Sequence, residues 1–160
     1  MLVTVDASSM IYAWDNYPIE QFPALWEWLC EEIETGNLSV SKVAYEEIKN
    51  HYDECADWMD ECNIVKHDVT NDILRLSLKI RGELGIEGDR YGGGVGENDI
   101  LIIATAKSLN TILMSNEKVQ TGLPANKKNY KIPAVCRLDV VSIDCIDFLQ
   151  YLKRSGKIFR

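Results

Sequence analysis

The sequence predicts an α/β fold, a three-layer α/β/α sandwich with a central, mostly parallel sheet, built as a single domain over residues 1–160. Two observations predict the architecture. Short apolar runs at Leu2–Val5, Leu38–Val40, Thr111–Met114 and Val140–Ile143 alternate with helical stretches. Such brief apolar runs suit strands covered on both faces, as in parallel sheets. A third observation bounds the size: 160 residues, 46% hydrophobic and 26% charged, suit one core and exclude disorder or collagen-like repeats.

The elements follow in order. Leu2–Val5 is a strand ending at Asp6. Ser8–Trp14 is helical until Tyr17-Pro18 breaks it. From Phe22, a helix opens with Pro23 early and carries Leu25, Trp28, Leu29 and Ile33 on one stripe. Gly36-Asn37 closes it, and Leu38–Val40 is the next strand. Ser41 reads as the N-cap of a helix towards Asn50, followed by an amphipathic piece at Asp53–Cys62. Asn63–Lys66 is a brief extended segment. Asp68–Leu84 is helical, with Ile73, Leu76, Ile80 and Leu84 in register. Residues Ile86–Gly96 form a glycine-rich loop, and a helix opens at Glu97. Thr111–Met114 is a strand, 122–131 a polar loop, Pro133–Arg137 a short helical turn, Val140–Ile143 a last strand and Ile146–Arg154 a closing helix.

No apolar run reaches the roughly 18–20 residues of a membrane helix and no basic-then-apolar leader opens the chain, so a cytoplasmic protein is expected. Five cysteines (Cys30, Cys55, Cys62, Cys136, Cys145) contain no C-x-x-C, and an odd number cannot all pair. Buried thiols in a reducing compartment are therefore expected, without a zinc site. The net charge of −8 argues against a general nucleic-acid binder, yet the charge is unevenly spread. Residues 1–117 hold 8 Lys/Arg against 22 Asp/Glu, and residues 118–160 hold 9 against 3. An acidic body with a basic end suits a cation site beside an anion grip, and equally suits acidic solvated helix faces placed early in the chain.

Ligands of open α/β sheets bind at the carboxyl ends of the strands. Asp6 follows the first strand, Glu117 lies just beyond Thr111–Met114, and Asp99 sits in the first turn of the helix feeding that strand, where the helix dipole favours a carboxylate. In the helix after Ser41, Glu46 shares a solvated face with Lys42 and Asn50. Glu47 shares a stripe with Val43, flanked by Ala44 and Ile48, where an acid is costly without a partner. Glu47 is therefore the fourth candidate. Four converging carboxylates need a hard cation between them. Oxygen-only ligation suits Mg²⁺ or Mn²⁺, and such sites chiefly perform phosphoryl chemistry. An ordinary first-turn acid accounts for Asp99 equally well if it is taken alone.

The segments V-T-V-D-A-S-S-M-I-Y, V-S-K-V-A-Y-E-E-I, G-E-N-D-I-L-I-I-A-T-A-K-S-L and T-I-L-M-S-N-E-K resemble, in order and spacing, the PIN domain known from VapC-type toxins of toxin–antitoxin systems. F-P-A-L-W-E-W-L and K-I-P-A-V-C resemble a stand-alone VapC-like branch. The resemblance covers nearly the whole chain and implies a PIN-like Mg²⁺- or Mn²⁺-dependent endoribonuclease. Asp6, Glu47, Asp99 and Glu117 fall on its catalytic, metal-holding acids, and Ser8 and Ser115 on its small polar positions at the substrate. It further implies a homodimer and a cognate antitoxin protein. Ala7 stands where many relatives have Thr, Ser115 where Thr is commoner, and Glu117 is one methylene longer than Asp. The alternative is a non-catalytic PIN-fold module binding protein or RNA. A phosphatase using Asp6 as nucleophile would need D-x-D, and Ser8 occupies the second position.

The 88–96 loop lacks the G-K-[ST] of a P-loop, so it is expected to be a mobile gate beside Asp99, with Arg90 and Tyr91 touching RNA. Lys118, Lys127, Lys128, Lys131 and Arg137, with Tyr130 among them, suit a single-stranded phosphate backbone, or simply a soluble loop. Trp26 and Trp28 cannot share a helix face, so one is expected in the core and the other partly exposed, at a dimer or antitoxin contact or in simple packing. His51 and His67 have no partner in sequence and no expected role. The late cations Lys153, Arg154, Lys157 and Arg160 are expected to cap the last helix or fray.

Overall fold

A computed structural model describes residues 1–160. Five strands, β1 (Val3–Val5), β2 (Leu38–Ser41), β3 (Lys66–His67), β4 (Ile112–Met114) and β5 (Cys145–Ile146), form one sheet in the order β3-β2-β1-β4-β5. Every pairing is parallel. β1 is central, with Val3 opposite both Leu38 and Ile112. Eight helices flank the sheet: α1 (Ala7–Asn16), α2 (Pro23–Glu34), α3 (Lys42–His51), α4 (Asp53–Glu61), α5 (Asn71–Leu84), α6 (Glu97–Leu109), α7 (Ile132–Cys136) and α8 (Phe148–Ser155). One cluster of 39 buried residues joins strands and helices, the arrangement predicted from the alternating pattern. No helix is long and apolar enough to cross a membrane.

Local chemistry sets the helix ends. Pro23 opens α2, where its missing N–H costs nothing. Ser41 Oγ accepts the Ala44 N–H at 3.1 Å, so α3 starts directly off β2. Thr70 caps α5 through the Ile73 N–H, which moves its start three residues beyond the expected Asp68, and Gly85 ends it at φ +72°. Asp147 and Gln150 cap α8 reciprocally. Arg154 pairs with Asp144 at 2.5 Å, so this late cation is tied down.

Four expectations are corrected. Val140–Ile143 is not a strand: the Val141 and Ser142 N–H groups both return to the Leu138 carbonyl, and Ser142 has φ +49°. The last strand lies at Cys145–Ile146 instead, where Leu113 and Met114 supply pairing partners. Both tryptophans of α2 are buried. Trp26 packs edge-on to Trp14 and Trp58 and donates its indole N–H to the Tyr17 carbonyl at 2.7 Å, while Trp28 stacks on Tyr151 and meets Phe159. They do face different ways, but the fold covers both faces.

The third correction concerns the thiols. Cys30 on α2 and Cys62, just after α4, form a disulfide with 5.3 Å between Cα atoms; Cys55, Cys136 and Cys145 remain free. Titration of the unfolded, unreduced protein is expected to find three thiols, and five after reduction. Closing a loop between residues 32 apart in sequence is worth ~3–4 kcal/mol by chain entropy, so reduction lowers stability accordingly. Five thiols without reductant would contradict the bridge.

The fourth is the glycine-rich loop, which is docked instead of mobile. The Val95 N–H donates to the Tyr130 carbonyl at 2.9 Å and the Gly93 N–H to Asn129 Oδ1 at 2.8 Å. A Cβ at Gly94 would lie 2.5 Å from the Asn129 carbonyl carbon, and one at Gly92 2.7 Å from the Lys128 carbonyl oxygen. These glycines permit close backbone approach. The loop is thereby fastened to the 128–130 segment.

Candidate active site

Because every strand is parallel, their carboxyl ends share one edge of the sheet. Asp6 is the first residue past β1, and its N–H donates to the Met114 carbonyl at 2.8 Å, which fastens it beside the end of β4. Ser115, Asn116 and Glu117 follow β4 immediately. α3 begins at the end of β2 and packs against α1 and α6, bringing Glu47 towards the first turn of α6 and Asp99. Four separate elements thus supply the four acids.

Asp6 is buried, with 3% exposure. The hydroxyls of Ser8 and Ser115 both donate to its Oδ2, at 2.6 and 3.0 Å. Ser8 Oγ in turn accepts the Asn116 N–H at 2.9 Å, and Ser115 Oγ the Glu117 N–H at 3.3 Å. Asp99 Oδ2 accepts the Gly96 N–H at 3.0 Å, and Glu117 Oε2 accepts the Ile132 N–H at 3.1 Å. Each of these acids therefore commits an oxygen to the scaffold, the Ala7 N–H adding to the two serines at Asp6, while Asp99 Oδ1 and Glu117 Oε1 are left without a hydrogen bond.

The electrostatics report their proximity. Burial pushes the Asp6 carboxyl up, against the pull of Ser8 and Ser115, and the charge of Asp99 adds to the rise. Burial also raises Glu47; Asn98 opposes by hydrogen bonding, while Asp6, Asp99 and Glu117 reinforce the rise. Glu117 is raised by burial first; the Ile132 N–H opposes, and Asp99 and Asp6 push the same way as burial. The five ion pairs of the protein all lie elsewhere, and the charge of Lys131 lowers Glu117 against these rises. As the side chains stand, no three acids close tightly enough to grip an ion. In kind the donor set suits a hard divalent cation: it is oxygen-only, with free carboxylate oxygens on Asp99 and Glu117 and a negative charge that Lys131 offsets only in part.

The other expected site residues divide. Ser8 and Ser115 spend their hydroxyls on Asp6, because that buried acid needs donors more than the solvent side does, so they position the acid instead of reaching outward. Arg90 and Lys118 are exposed, and Lys128 is half-buried against Gly92. Tyr91 lies against the Arg81 guanidinium, and Lys127 pairs with Glu83. Sequence reasoning missed Asn98 beside Glu47, although its place next to Asp99 was a usable signal. It also missed Gln120, whose side chain clamps the loop by donating to the Asn129 carbonyl and accepting the Lys131 N–H. No sequence signal marks that clamp.

The architecture and strand order define a PIN-like α/β fold, and comparison with solved structures supports this. A chain of the VapBC2 structure from Rickettsia felis, bound to a DNA fragment from its promoter, matches with TM-score 0.58 at 17% identity, covering 92% of this chain and 99% of that one. PAE2754 from Pyrobaculum aerophilum matches with TM-score 0.58 at 13% identity, covering 98% of both chains. A chain of DNA-bound VapBC from Salmonella typhimurium gives 0.58 at 15% identity over 92% and 98%. At these identities the likeness is one of fold. The chain belongs to the DUF4411 family, a domain of unknown function, which matches residues 3–159. No curated protein matches it in sequence.

Proposed function

We propose that this chain is a Mg²⁺- or Mn²⁺-dependent endoribonuclease that hydrolyses RNA phosphodiester bonds, as the toxin of a toxin–antitoxin pair. The observation that carries the reading is the quartet itself: Asp6, Glu47, Asp99 and Glu117 come from four elements at the carboxyl edge of the sheet, and Asp6, Glu47 and Glu117 are raised first by burial and further by neighbouring acid charge. Asp6 Oδ1, Asp99 Oδ1 and Glu117 Oε1 would hold the ion, with Glu47 beside them. Such an ion supplies charge neutralisation at the scissile phosphate and a water of lowered pKa. Ser8 and Ser115 hold Asp6 in one orientation, and the Ile132 N–H does the same for Glu117. Glu47, half-buried and raised, would be the group to accept a proton there. The fold likeness to chains of VapBC structures supports an antitoxin partner, and a homodimer belongs to the same reading.

The test is cleavage of structured and unstructured RNAs by the purified protein with Mg²⁺, Mn²⁺ or EDTA. Cutting in either metal and none in EDTA is expected; no cutting of any RNA, with no ion bound by calorimetry, would refute the nuclease. A non-catalytic RNA- or protein-binding module is the second reading, favoured by one observation: the acids are not closed around an ion as they stand.

Exposed Arg90, with Lys118 and Lys128, is assigned to the RNA backbone. Arg90→Ala is expected to weaken binding of single-stranded RNA irrespective of sequence and to reduce the slope of log affinity against log salt by about 1. Unchanged affinity would remove Arg90 from the interface.

A further inference from the structure

Beside the acid quartet lies a cavity of about 310 Å³. Its walls come from two segments that the quartet itself ties together. Glu117 accepts the Ile132 N–H, Val119 follows Glu117 by two residues, and Pro133 follows Ile132. The cavity is therefore linked to an acid of the site through two short chain segments. The apolar lining is Val119, Leu123, Pro133, Ala134 and Leu138, with Tyr130 and Arg137 adding an aromatic ring and a guanidinium. Val119 and Leu123 are 58% and 59% exposed, large apolar side chains at the rim that nothing in the chain covers.

Tyr130 is held in advance. Its N–H donates to the Lys127 carbonyl and its carbonyl accepts the Val95 N–H, while Gln120 fastens residues 129 and 131 on either side. Its ring stacks on no other aromatic side chain of the protein. Arg137 lines the cavity, and Lys118 and Lys131 each adjoin a lining residue in sequence; all three are exposed, and none is in an ion pair. Tyr130 is half-buried against the core and also lines the cavity. A largely apolar slot with a fastened tyrosine in its wall and cations beside it suits a flat heterocycle carried on an anionic backbone.

We propose that this cavity is a nucleobase pocket, in which Tyr130 stacks on one base of a single-stranded RNA while Lys118, Lys131 and Arg137 hold the phosphates that lead from it to the acid quartet. The proposal rests on RNA being the substrate. It adds that recognition includes a base face, beyond attraction of a polyanion, and that Tyr130 and Ala134 determine it.

The test uses fluorescence anisotropy in EDTA, where nothing is cut. The probes are a mixed-sequence single-stranded RNA octamer and an octamer of abasic ribose phosphates with the same charge. The wild-type protein is expected to prefer the base-bearing octamer by about tenfold, within the range of base–aromatic stacking. Tyr130→Ala and Ala134→Phe, which respectively remove the platform and fill the slot, are expected to reduce that preference below twofold with unchanged salt dependence. Tyr130→Phe retains it, which separates stacking from loss of fold. Equal affinity of the wild type for the two probes, or an undiminished preference in Ala134→Phe, overturns the pocket, as does failure to bind either probe. Metal-dependent cleavage is read in its own assay. A base preference without cleavage leaves the pocket standing and removes the nuclease, and cleavage without base preference does the reverse.

Discussion

Asp6→Asn is expected to eliminate RNA cleavage while making the metal-free protein more stable at neutral pH. Asparagine keeps the shape and still accepts the Ser8 and Ser115 hydroxyls, but it removes a negative charge from a buried position beside Asp99. The loss of rate should be on the order of 10³-fold, equivalent to ~4 kcal/mol of transition-state stabilisation. The gain in stability should be ~1 kcal/mol, or about 2–4 °C in Tm for a chain of this size. The pH dependence has a definite sign. Asp6, Glu47 and Glu117 are all raised in the folded protein, so the folded state holds their protons more tightly than the unfolded state does. Their protonated forms favour folding. That contribution is lost as pH rises from the ordinary carboxylate range through the raised values. The difference in Tm between Asp6→Asn and the wild type, measured in EDTA, should therefore grow with rising pH across this window. Adding Mg²⁺ should stabilise only the wild type. A variant that is less stable than the wild type at every pH would show that Asp6 is not under like-charge strain.

Gly94→Ala is expected to damage both fold and activity, whereas Gly93→Ala should do neither. At Gly94 the new Cβ would collide with the Tyr130 carbonyl and the Asn129 backbone, atoms that cannot swing aside. At Gly93 the nearest atom to such a Cβ is Asn129 Oδ1 at 3.8 Å, an ordinary contact. The first substitution should cost at least ~2 kcal/mol, since backbone must move to relieve it. Displacing Tyr130 also displaces Ile132, whose N–H orients Glu117. Cleavage should fall about 10²-fold even where the variant remains folded, as a shift near 1 Å at a catalytic group does. Thermal melts and initial rates on the two neighbouring variants check this directly. Equal behaviour would mean that the loop is not held against residues 128–130.

Much of the architecture was legible because periodicity carries it. β1, β2, β4 and the apolar stripe of α5 follow from burial patterns that leave few alternatives. The acids stood out as candidates for a related reason: a charge at the end of a buried strand, or on the apolar side of a helix, has little purpose without a partner. What was not legible depended on contacts between distant segments. Val140–Ile143 is as apolar as a strand, but pairing requires neighbours, and the chain turns at Ser142 before β4 is reached. Trp28 is covered by Tyr151 and Phe159 from the far end of the chain. The Cys30–Cys62 bridge follows from how α2 and α4 sit, which spacing does not encode. The glycines of the 92–96 loop read as freedom of motion, whereas they serve close approach. Ser8 and Ser115 were expected to face the substrate, whereas the geometry shows both hydroxyls directed at one carboxylate oxygen of Asp6.

The central position of β1 has a consequence for the newly made protein. Its partners β2 and β4 leave the ribosome at different times, and Asp6 and Ser115, bonded through side chains, lie 109 residues apart in sequence. Until β4 emerges, one edge of β1 has no partner and Asp6 lacks both the Met114 carbonyl that receives its N–H and one of its two serines. The acid quartet is consequently assembled late in synthesis, after most of the helices exist. A growing or truncated chain that ends before β4 carries the first acid without the fourth.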